Sequence, residues 1–475
     1  MIRIASTDCA FEVEPFRAPF GFKGNYLGGQ WQCAGSMRSA RGHEGLGVGV
    51  LSPLWSDAEL FAAHPESASS SMMFLTMAHA LKAAQGQRFE TPLDLLDRLL
   101  PLAWEYGKKI AGKADLRLTF ALNALVAVDN AAWMLYARET GKTSFDKLIP
   151  PEFRPALAHR HEKLACIPLF SYGVSVDEIL KAVSDGFFFA KIKIGADPDH
   201  DGDRDKMLAW DRKRLSAIHE RLKDRRIPWT EKGWIPYYLD ANGRYDSKDR
   251  MKRLLDHADR IGALERIAIF EEPFAEENAV EVGDLPVRVA ADESAHAVED
   301  ARRRIDLGYG AIALKPIAKT MSMSLRIAKL AHEAGVPCFC ADLTVCPLLV
   351  DWNKVVAARL PPLPGMKVGI LESNGHQNYR DWARMRSYHP AAGAAWTEPR
   401  EGLFRLDADF WNRNAGILEM PEHYRQLMKP HPEALARHAT RRRSRRLPSS
   451  LRSSRASADT RGPRNRRSPS RRSPS

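Results

Sequence analysis

Five short motifs between Ala190 and Pro316 decide the fold. Each places a charged side chain at the end of a short apolar run, and in order they read Lys191-Ile192-Lys193, Leu239-Asp240-Ala241-Asn242, Phe270-Glu271-Glu272-Pro273, Ala291-Asp292-Glu293-Ser294 and Leu314-Lys315-Pro316. This pattern predicts consecutive β-strands that carry charged residues at their carboxyl ends, with helices between the strands. Along the chain the charges run base, acid, acid, acid, base.

The order of the charges has a geometric meaning if the strands are neighbours in a parallel barrel. Adjacent strands lie about 4.8 Å apart, so Asp240, Glu271 and Asp292 would bring three carboxylates around one point. Three like charges so close repel one another unless a cation is bound. A set of oxygen ligands alone favours Mg²⁺, with Mn²⁺ as the alternative, over zinc. In an eight-stranded barrel, Lys193 and Lys315 would then face each other across the metal.

Lys191 and Lys193 are predicted to point to the same side of one strand, because side chains alternate along a strand with a period of two. Ile192 and Ile194 are left to pack against the outer helices. A neighbouring ammonium group and a metal cation both disfavour the charged form of a lysine, and so make it a usable base. We therefore expect Lys191 to tune Lys193.

The remaining sequence continues the alternation of strand and helix, which calls for a parallel sheet. Strand patterns lie near 167–171, 187–194, 236–241, 266–271, 286–291, 311–315, 337–342 and 367–372. Helical patterns fit 175–185, 203–223, 247–262, 275–282, 297–307, 321–335 and 345–359. Eight strands predict a closed (β/α) barrel over residues 156–436, with its functional site at the carboxyl ends of the strands.

Residues 1–155 are predicted to form an α+β capping domain. Strand patterns cover 1–15 and 43–55, and helical patterns cover 92–105 and 119–138. The Gly-rich aromatic stretch 20–29 is predicted to be a flexible loop that closes over a site, with an ordinary surface loop as the alternative. Pro150 and Pro151 mark the domain boundary.

Composition excludes several classes of protein. A chain of 475 residues with 44% hydrophobic content can bury a full core, and neither a signal peptide nor a membrane span is evident. We expect a cytoplasmic protein with reduced core thiols, although Cys338 and Cys340 could instead bind a metal. The glycines of 42–50 do not have dinucleotide-binding spacing, because Val50 stands where the third glycine is needed.

The net charge of +12 comes from the C-terminus. Residues 437–475 contain 14 Arg, no Lys and one acid, Asp459, which gives +13 and leaves about −1 (12 minus 13) for the rest of the chain. This basic tail has too little apolar content to fold, and we expect it to be disordered. Clustered Arg without aromatic residues allows only unspecific, salt-sensitive nucleic-acid contacts, and we favour a tail without a defined function over nucleic-acid binding.

The five motifs, in this order on a barrel pattern, resemble the enolase superfamily, and within it the mandelate racemase and muconate lactonizing enzyme group. The resemblance extends over roughly residues 1–430. It implies an α/β fold in which an α+β capping domain closes a modified TIM barrel, and an enzyme that binds Mg²⁺ and abstracts the proton α to a carboxylate. The seventh strand, near 339–343, lacks the His of the racemase branch, so the two lysines are more similar to the muconate lactonizing subgroup.

This resemblance also implies roles for individual residues. Asp240, Glu271 and Asp292 would be the metal ligands. Glu272 is expected to support the site from behind and Glu293 to face outward, so neither is assigned as a ligand.

The lysines and the substrate contacts follow in the same way. Lys193 and Lys315 would be the two bases, and Lys191 the auxiliary lysine. The residues expected to contact substrate are Asn242, Glu372, Asn374, Phe22 and Tyr26. Dipeptide epimerases of this group hold the substrate ammonium with an Asp-x-Asp on the eighth strand; the corresponding pair here is Glu372 and Asn374, which argues against a dipeptide.

The chemistry explains these residue types. Removing a proton beside a carboxylate places a second negative charge on a charged group, so the resulting enediolate needs a Lewis acid. Two lysines on opposite sides of the metal predict a racemase or epimerase that acts on an amino-acid derivative or related small-molecule carboxylate. A cycloisomerase, an o-succinylbenzoate synthase-like enzyme or an acid-sugar dehydratase would use the same metal and one lysine. We expect a homo-oligomer.

Overall fold

The computed structural model describes residues 1–23 and 25–429, so the predicted basic tail, 437–475, lies outside the described residues. The chain begins with a four-stranded antiparallel sheet in the order β3-β2-β1-β4, composed of β1 (Ile2–Phe22), β2 (Asn25–Ser39), β3 (Glu44–Leu51) and β4 (Arg88–Phe89). The loop predicted at 20–29 is instead part of a hairpin, because β1 and β2 remain paired as far as Phe22 and Asn25. Gly29 permits this pairing, since a Cβ there would lie 2.7 Å from the Glu14 carbonyl oxygen.

Helices cover one face of this sheet. They are α1 (Pro53–Ser56), α2 (Ala58–Ala63), α3 (Glu66–Ala84), α4 (Pro92–Ala111), α5 (Leu118–Ala124), α6 (Val126–Thr140) and α7 (Phe145–Leu148). The helix predicted over 119–138 is bent by 46° between α5 and α6. Asn123 fixes α5 against the sheet, because its side chain accepts a hydrogen bond from Ser52 N at 2.8 Å and donates one to Val50 O at 2.9 Å.

The glycines of β3 explain the Gly-rich stretch that did not fit a nucleotide site. Gly45, Gly47 and Gly49 alternate along β3, so they share the face that packs on α6. A Cβ at Gly47 would lie 2.0 Å from the Ala127 carbonyl oxygen of α6. These glycines therefore serve close packing of a helix on a sheet.

A parallel sheet follows the cap. Its strands are β5 (Lys163–Ile167), β6 (Leu169–Phe170), β7 (Ala190–Lys193), β8 (Tyr237–Asp240), β9 (Ile267–Glu271), β10 (Val289–Ala291), β11 (Ala311–Leu314), β12 (Cys338–Cys340) and β13 (Gly369–Glu372). From β6 to β13 each strand pairs with the next one along the chain. The predicted α/β fold, a modified TIM barrel with an α+β cap, is confirmed.

The first barrel strand is interrupted by Pro168. On one side β5 pairs in parallel with β13, whereas beyond Pro168 β6 pairs with β7, so this broken strand closes the barrel. The other side of β5 pairs antiparallel with an additional strand, β14 (Leu403–Arg405). The sequence did not predict β14.

Helices surround the barrel. They are α8 (Val176–Ser184), α9 (Arg204–Leu222), α10 (Lys248–Arg260), α11 (Val298–Asp306), α12 (Pro316–Lys319), α13 (Met321–Glu333) and α14 (Pro347–Ala357). The helix predicted over 275–282 is wrong. Arg304 donates hydrogen bonds to the carbonyl oxygens of Glu276 and Asn278, so the carbonyl groups of this short connection bind a guanidinium instead of helical N–H groups.

Short elements complete the described chain. After β13 come α15 (Gly375–Asn378), α16 (Trp382–Arg386), α17 (Ala408–Arg413) and α18 (Glu422–Leu427), and single 3₁₀ turns occur at Pro151–Phe153, Pro155–Leu157, Leu264–Arg266, Ala395–Thr397 and Asn414–Gly416. This C-terminal segment packs back on the cap, where His423 contacts Glu12 at 2.7 Å and Arg384 contacts Glu14 at 2.6 Å. Residues Met1–Met428 accordingly form one compact unit.

Two further expectations from the sequence concern the cysteines and membrane-spanning helices. All six cysteines are free and five are buried, as expected of core thiols. Within residues 1–23 and 25–429, no single helix has the length and apolarity to cross a membrane, and one bent pair, α5 with α6, meets those two criteria.

Candidate active site

The charged strand ends meet in one cavity at the carboxyl end of the barrel. The predicted bases, auxiliary lysine and metal ligands all line it and are buried, and they are Lys191, Lys193, Lys315, Asp240, Glu271 and Asp292. Ile192 and Ile194 belong to the core between the barrel and its helices, as the alternation predicted. The structure therefore brings the six residues together, while their individual roles stay predictions.

Lys191 and Lys193 share one carboxylate oxygen. Asp240 Oδ2 lies 3.0 Å from Lys191 Nζ and 2.5 Å from Lys193 Nζ. Lys191 Nζ also lies 2.9 Å from Glu271 Oε1 and 3.1 Å from Glu372 Oε2. Two ammonium groups on one oxygen are close enough for the charge of Lys191 to act on Lys193.

Lys315 stands on the other side of the barrel, since β7 and β11 are four strands apart in the sheet. Its Nζ lies 2.5 Å from Asp292 Oδ2. Burial alone would lower the pKa of Lys315, but Asp292 and Glu293 raise it above its ordinary value. The same balance holds for Lys191, whose pKa burial would lower but whose carboxylate neighbours raise well above the ordinary range. Both lysines are protonated while these carboxylates keep their full charge.

Three carboxylates form a group that could hold a metal ion. Glu271, Asp292 and Glu293 each offer an oxygen, and the three oxygens lie within 4.8 Å of one another. Burial raises the pKa of Glu271 to about 7, with Lys191 opposing this shift and Asp292 adding to it. Glu293 Oε2 is buried without a hydrogen-bond partner in the described chain. A buried set of carboxylate oxygens, one of which accepts no hydrogen bond, fits a hard divalent cation.

This carboxylate group differs from the predicted ligand set in one member. Asp240 Oδ2 already accepts from two lysines, and Asp240 Oδ1 accepts from Asn242 N at 3.0 Å. Burial would raise the pKa of Asp240, but Lys191 and Lys193 hold it below its ordinary value. Its role as a ligand stays a prediction.

The expectation that Glu293 faces outward is wrong. Glu293 is buried and lines the cavity. Glu272 explains this direction, because its Oε2 accepts hydrogen bonds from Asp292 N at 2.7 Å and Ser294 N at 3.2 Å. These bonds fix the turn after β10, from which both Asp292 and Glu293 enter the cavity. Glu272 thus has the supporting position expected of it.

The cap reaches this group through Lys23, at the tip of the β1–β2 hairpin. Lys23 Nζ lies 3.5 Å from Glu293 Oε1 and donates a hydrogen bond to Trp55 O at 3.1 Å. The Lys23 side chain is 12% exposed. The hairpin tip is therefore closed over the carboxylates.

The predicted substrate contacts divide into two groups. Asn242, Glu372 and Asn374 line the cavity. Tyr26 is 64% exposed and lines an adjacent outer cavity, and the Phe22 side chain lies outside the described part of the chain. Instead of Tyr26, Phe20 of the same hairpin lines the central cavity.

Sequence reasoning missed several residues that line the cavity, and three of them bear on its chemistry. Ser52 and Trp55 come from the cap, and Asp342 follows β12. Burial raises the pKa of Asp342 to about 7, and Glu372 adds to this shift. The position of Asp342, just beyond the seventh strand, was a usable signal. The sequence around Ser52 and Trp55 has no comparable pattern.

Comparisons with known proteins agree with this architecture. Residues 175–364 match the family described as "Enolase C-terminal domain-like". A mandelate racemase/muconate lactonizing protein from Herpetosiphon aurantiacus superposes with a TM-score of 0.60 at 16% identity, over 85% of this chain and 96% of that one. An N-succinyl Arg/Lys racemase from Bacillus cereus ATCC 14579 gives 0.58 at 15% identity, over 85% and 93%. At these identities the likeness concerns the fold.

One sequence relative is an o-succinylbenzoate synthase from Geobacillus kaustophilus. It is 25% identical over 262 residues, which is 52% of this chain and 59% of the relative. The match therefore spans less than two thirds of that relative's length.

Proposed function

We propose that this chain belongs to the enolase superfamily, whose C-terminal domain family matches residues 175–364, and that it is a racemase or epimerase acting beside a carboxylate. The observation that carries this proposal is the pair of lysines, Lys193 and Lys315, which line one cavity from strands four places apart. Acceptors on opposite sides of one carbon allow a proton to leave from one face and another to arrive on the other. A single base would not need this arrangement.

Each of the two lysines removes or donates one proton, depending on the direction of the reaction. In one direction neutral Lys193 Nζ takes the α-proton and protonated Lys315 Nζ gives its proton to the opposite face of the same carbon. In the reverse direction the roles exchange. Lys191, held by Glu271 and Glu372, stays charged beside Lys193.

The carboxylates would hold Mg²⁺ or Mn²⁺. Glu271 and Asp292 belong both to the predicted ligand set and to the observed group, and Glu293 or Asp240 would supply the third carboxylate. Bound there, the cation would stabilise the second negative charge that develops on the substrate carboxylate. The substrate is a small-molecule carboxylate, and we favour an amino-acid derivative.

An o-succinylbenzoate synthase-like elimination is the second candidate, favoured by the relative of that name. It needs one lysine as a base, and the other would then contribute charge only. A cycloisomerase or acid-sugar dehydratase would divide the roles in the same way.

Deuterium exchange distinguishes these reactions. With Mg²⁺ in deuterated water, both enantiomers of a racemase substrate should take up deuterium at the α-carbon. Lys193→Met and Lys315→Met should each abolish exchange from a different enantiomer, by about 10²- to 10⁴-fold. If one lysine variant still eliminates water while the other does not, the elimination is supported. If neither enantiomer of any substrate that turns over exchanges, two-base racemisation is rejected.

A further inference from the structure

One side of the central cavity contains a buried acceptor without a partner. Asp342, two residues beyond β12, is 5% exposed and lines the cavity. Its Oδ2 accepts a hydrogen bond from Asn374 N at 2.7 Å, whereas no group of the described chain meets Oδ1 with hydrogen-bond geometry, although the backbone of Leu343 and Val345 lowers the pKa of this carboxyl group. A buried carboxylate oxygen without a hydrogen bond costs free energy. A ligand that donates a hydrogen bond to this oxygen recovers that free energy on binding.

The position of Asp342 indicates which part of a substrate would meet it. The carboxylate group that could hold the metal lies at the ends of β9 and β10, and β13 stands four strands away from β9. Asp342 accepts a hydrogen bond from Asn374, which follows β13. A substrate with its carboxylate at the metal site would therefore extend toward Asp342 beyond its reacting carbon.

The charges around Asp342 restrict that part of the substrate. Asp342 N donates to Glu372 Oε2 at 2.9 Å, so a second carboxylate stands beside it. The three lysines among the described lining residues, Lys191, Lys193 and Lys315, are all paired with carboxylates. A second substrate carboxylate placed here would meet acids and no unpaired cation. An N–H group would meet the acceptor that the site leaves open.

We propose that Asp342 Oδ1 accepts a hydrogen bond from an N–H group of the substrate, which makes the substrate an amino-acid derivative with an amide N–H or an ammonium group. The proposal rests on the proposed function, because that function places the substrate carboxylate at the metal site. It excludes dicarboxylates that lack nitrogen. The two sources of N–H differ in charge, so the experiment separates them.

The test compares matched ligands by their dissociation constants with Mg²⁺ present. A panel of N-acetyl amino acids is paired with ester analogues in which oxygen replaces the N–H group, and a panel of dipeptides is paired with their N-acetylated forms. We expect at least one amide to bind about 10- to 100-fold more tightly than its ester. A comparable loss on acetylating a dipeptide would identify ammonium as the donor. If no N–H ligand binds better than its partner, the proposal is overturned.

Asp342→Asn shows whether this residue is the acceptor. The variant keeps an oxygen for Asn374 N, so its amide NH₂ group takes the place of Oδ1 and offers a donor instead. We expect the preference for amide over ester to disappear or reverse, with unfolding temperatures close to wild type. Asp306→Asn, on exposed α11, should keep the wild-type preference. A preference unchanged in Asp342→Asn would assign recognition to another residue.

This measurement is independent of turnover. If deuterium exchange fails while the amide preference holds, the reaction is wrong and the recognition stands. If exchange occurs without the preference, only the role of Asp342 is wrong.

Discussion

The indole ring of Trp55 lies against Lys315, with Lys315 Nζ 4.7 Å from the ring centroid. Trp55 belongs to α1 of the cap, and Lys315 follows β11 of the barrel. Trp55 Nε1 is buried without a partner in the described chain. The cap therefore contributes directly to the surroundings of one of the two proposed bases.

This contact predicts an asymmetric effect. Trp55→Leu removes the aromatic face that stabilises the ammonium form of Lys315, so the neutral form that accepts a proton becomes more accessible, and we expect α-proton exchange to quicken by about 3- to 30-fold. The effect should be larger for the enantiomer that Lys315 deprotonates. Exchange rates of the separate enantiomers measure it. Trp55→Phe, which keeps a ring, should change the exchange rate less than Trp55→Leu, and equal changes in both enantiomers would refute a specific effect on Lys315.

Removing the metal predicts a change in stability. A cation that binds only the folded protein stabilises it by about 2.7 kcal/mol at a hundredfold excess over its dissociation constant. The unfolding temperature should therefore rise with added Mg²⁺ and fall again with a chelator. Glu271→Gln should abolish the rise, because it removes a carboxylate common to both possible ligand sets.

Exposed Glu299→Gln is the matched control for that experiment and should retain the rise. A Mg²⁺-dependent rise that survives in Glu271→Gln would place the cation elsewhere. Comparing Asp240→Asn with Glu293→Gln then identifies the third carboxylate, since only the true ligand weakens Mg²⁺ binding directly.

A carboxylate between the cap and the barrel predicts a pH dependence. Asp129 of α6 accepts hydrogen bonds from Ser322 N at 2.9 Å and Ser322 Oγ at 2.6 Å, and burial raises its pKa from 3.8 to about 6 against the effect of these bonds. The folded protein then binds this proton more tightly than the unfolded protein. Its contribution to stability is largest below pH 4 and falls by roughly 3 kcal/mol as pH rises to about 6.

Urea unfolding of wild type and Asp129→Asn between pH 4 and pH 7 measures this contribution. The stability of wild type relative to the variant should decrease across that range, because the amide side chain of the variant does not titrate. Asp306→Asn, a change on the exposed face of α11, should give a constant difference. A constant difference for Asp129→Asn as well would mean that Asp129 keeps an ordinary pKa.

The barrel and most of the site could be predicted because their signals are local. A stretch of about five residues is enough to recognise a strand that ends in a charged residue, and neighbouring parallel strands must bring such ends together. Lys193 and Lys315 are examples, since each follows a short apolar run. Their separation across the barrel follows from counting strands.

The errors arose where distant parts of the chain decide the structure. Glu293 faces inward because Glu272 fixes the turn after β10, and this bond has no counterpart in local sequence. The segment 275–282 is not helical because Arg304 binds its carbonyl groups. Trp55 and Ser52 reach the cavity only because the cap is closed over the barrel, which no periodicity predicts.

The late position of β14 in the chain has a consequence for synthesis of the protein. The wall beside β5 is completed by β14, and Leu403 pairs with Ala165 across more than two hundred intervening residues. Contacts of such long range form late, because much chain entropy must be lost before they are made. A ribosome must therefore deliver the chain as far as β14 before β5 finds this neighbour, and a chain truncated before Leu403 would leave β5 with an open edge.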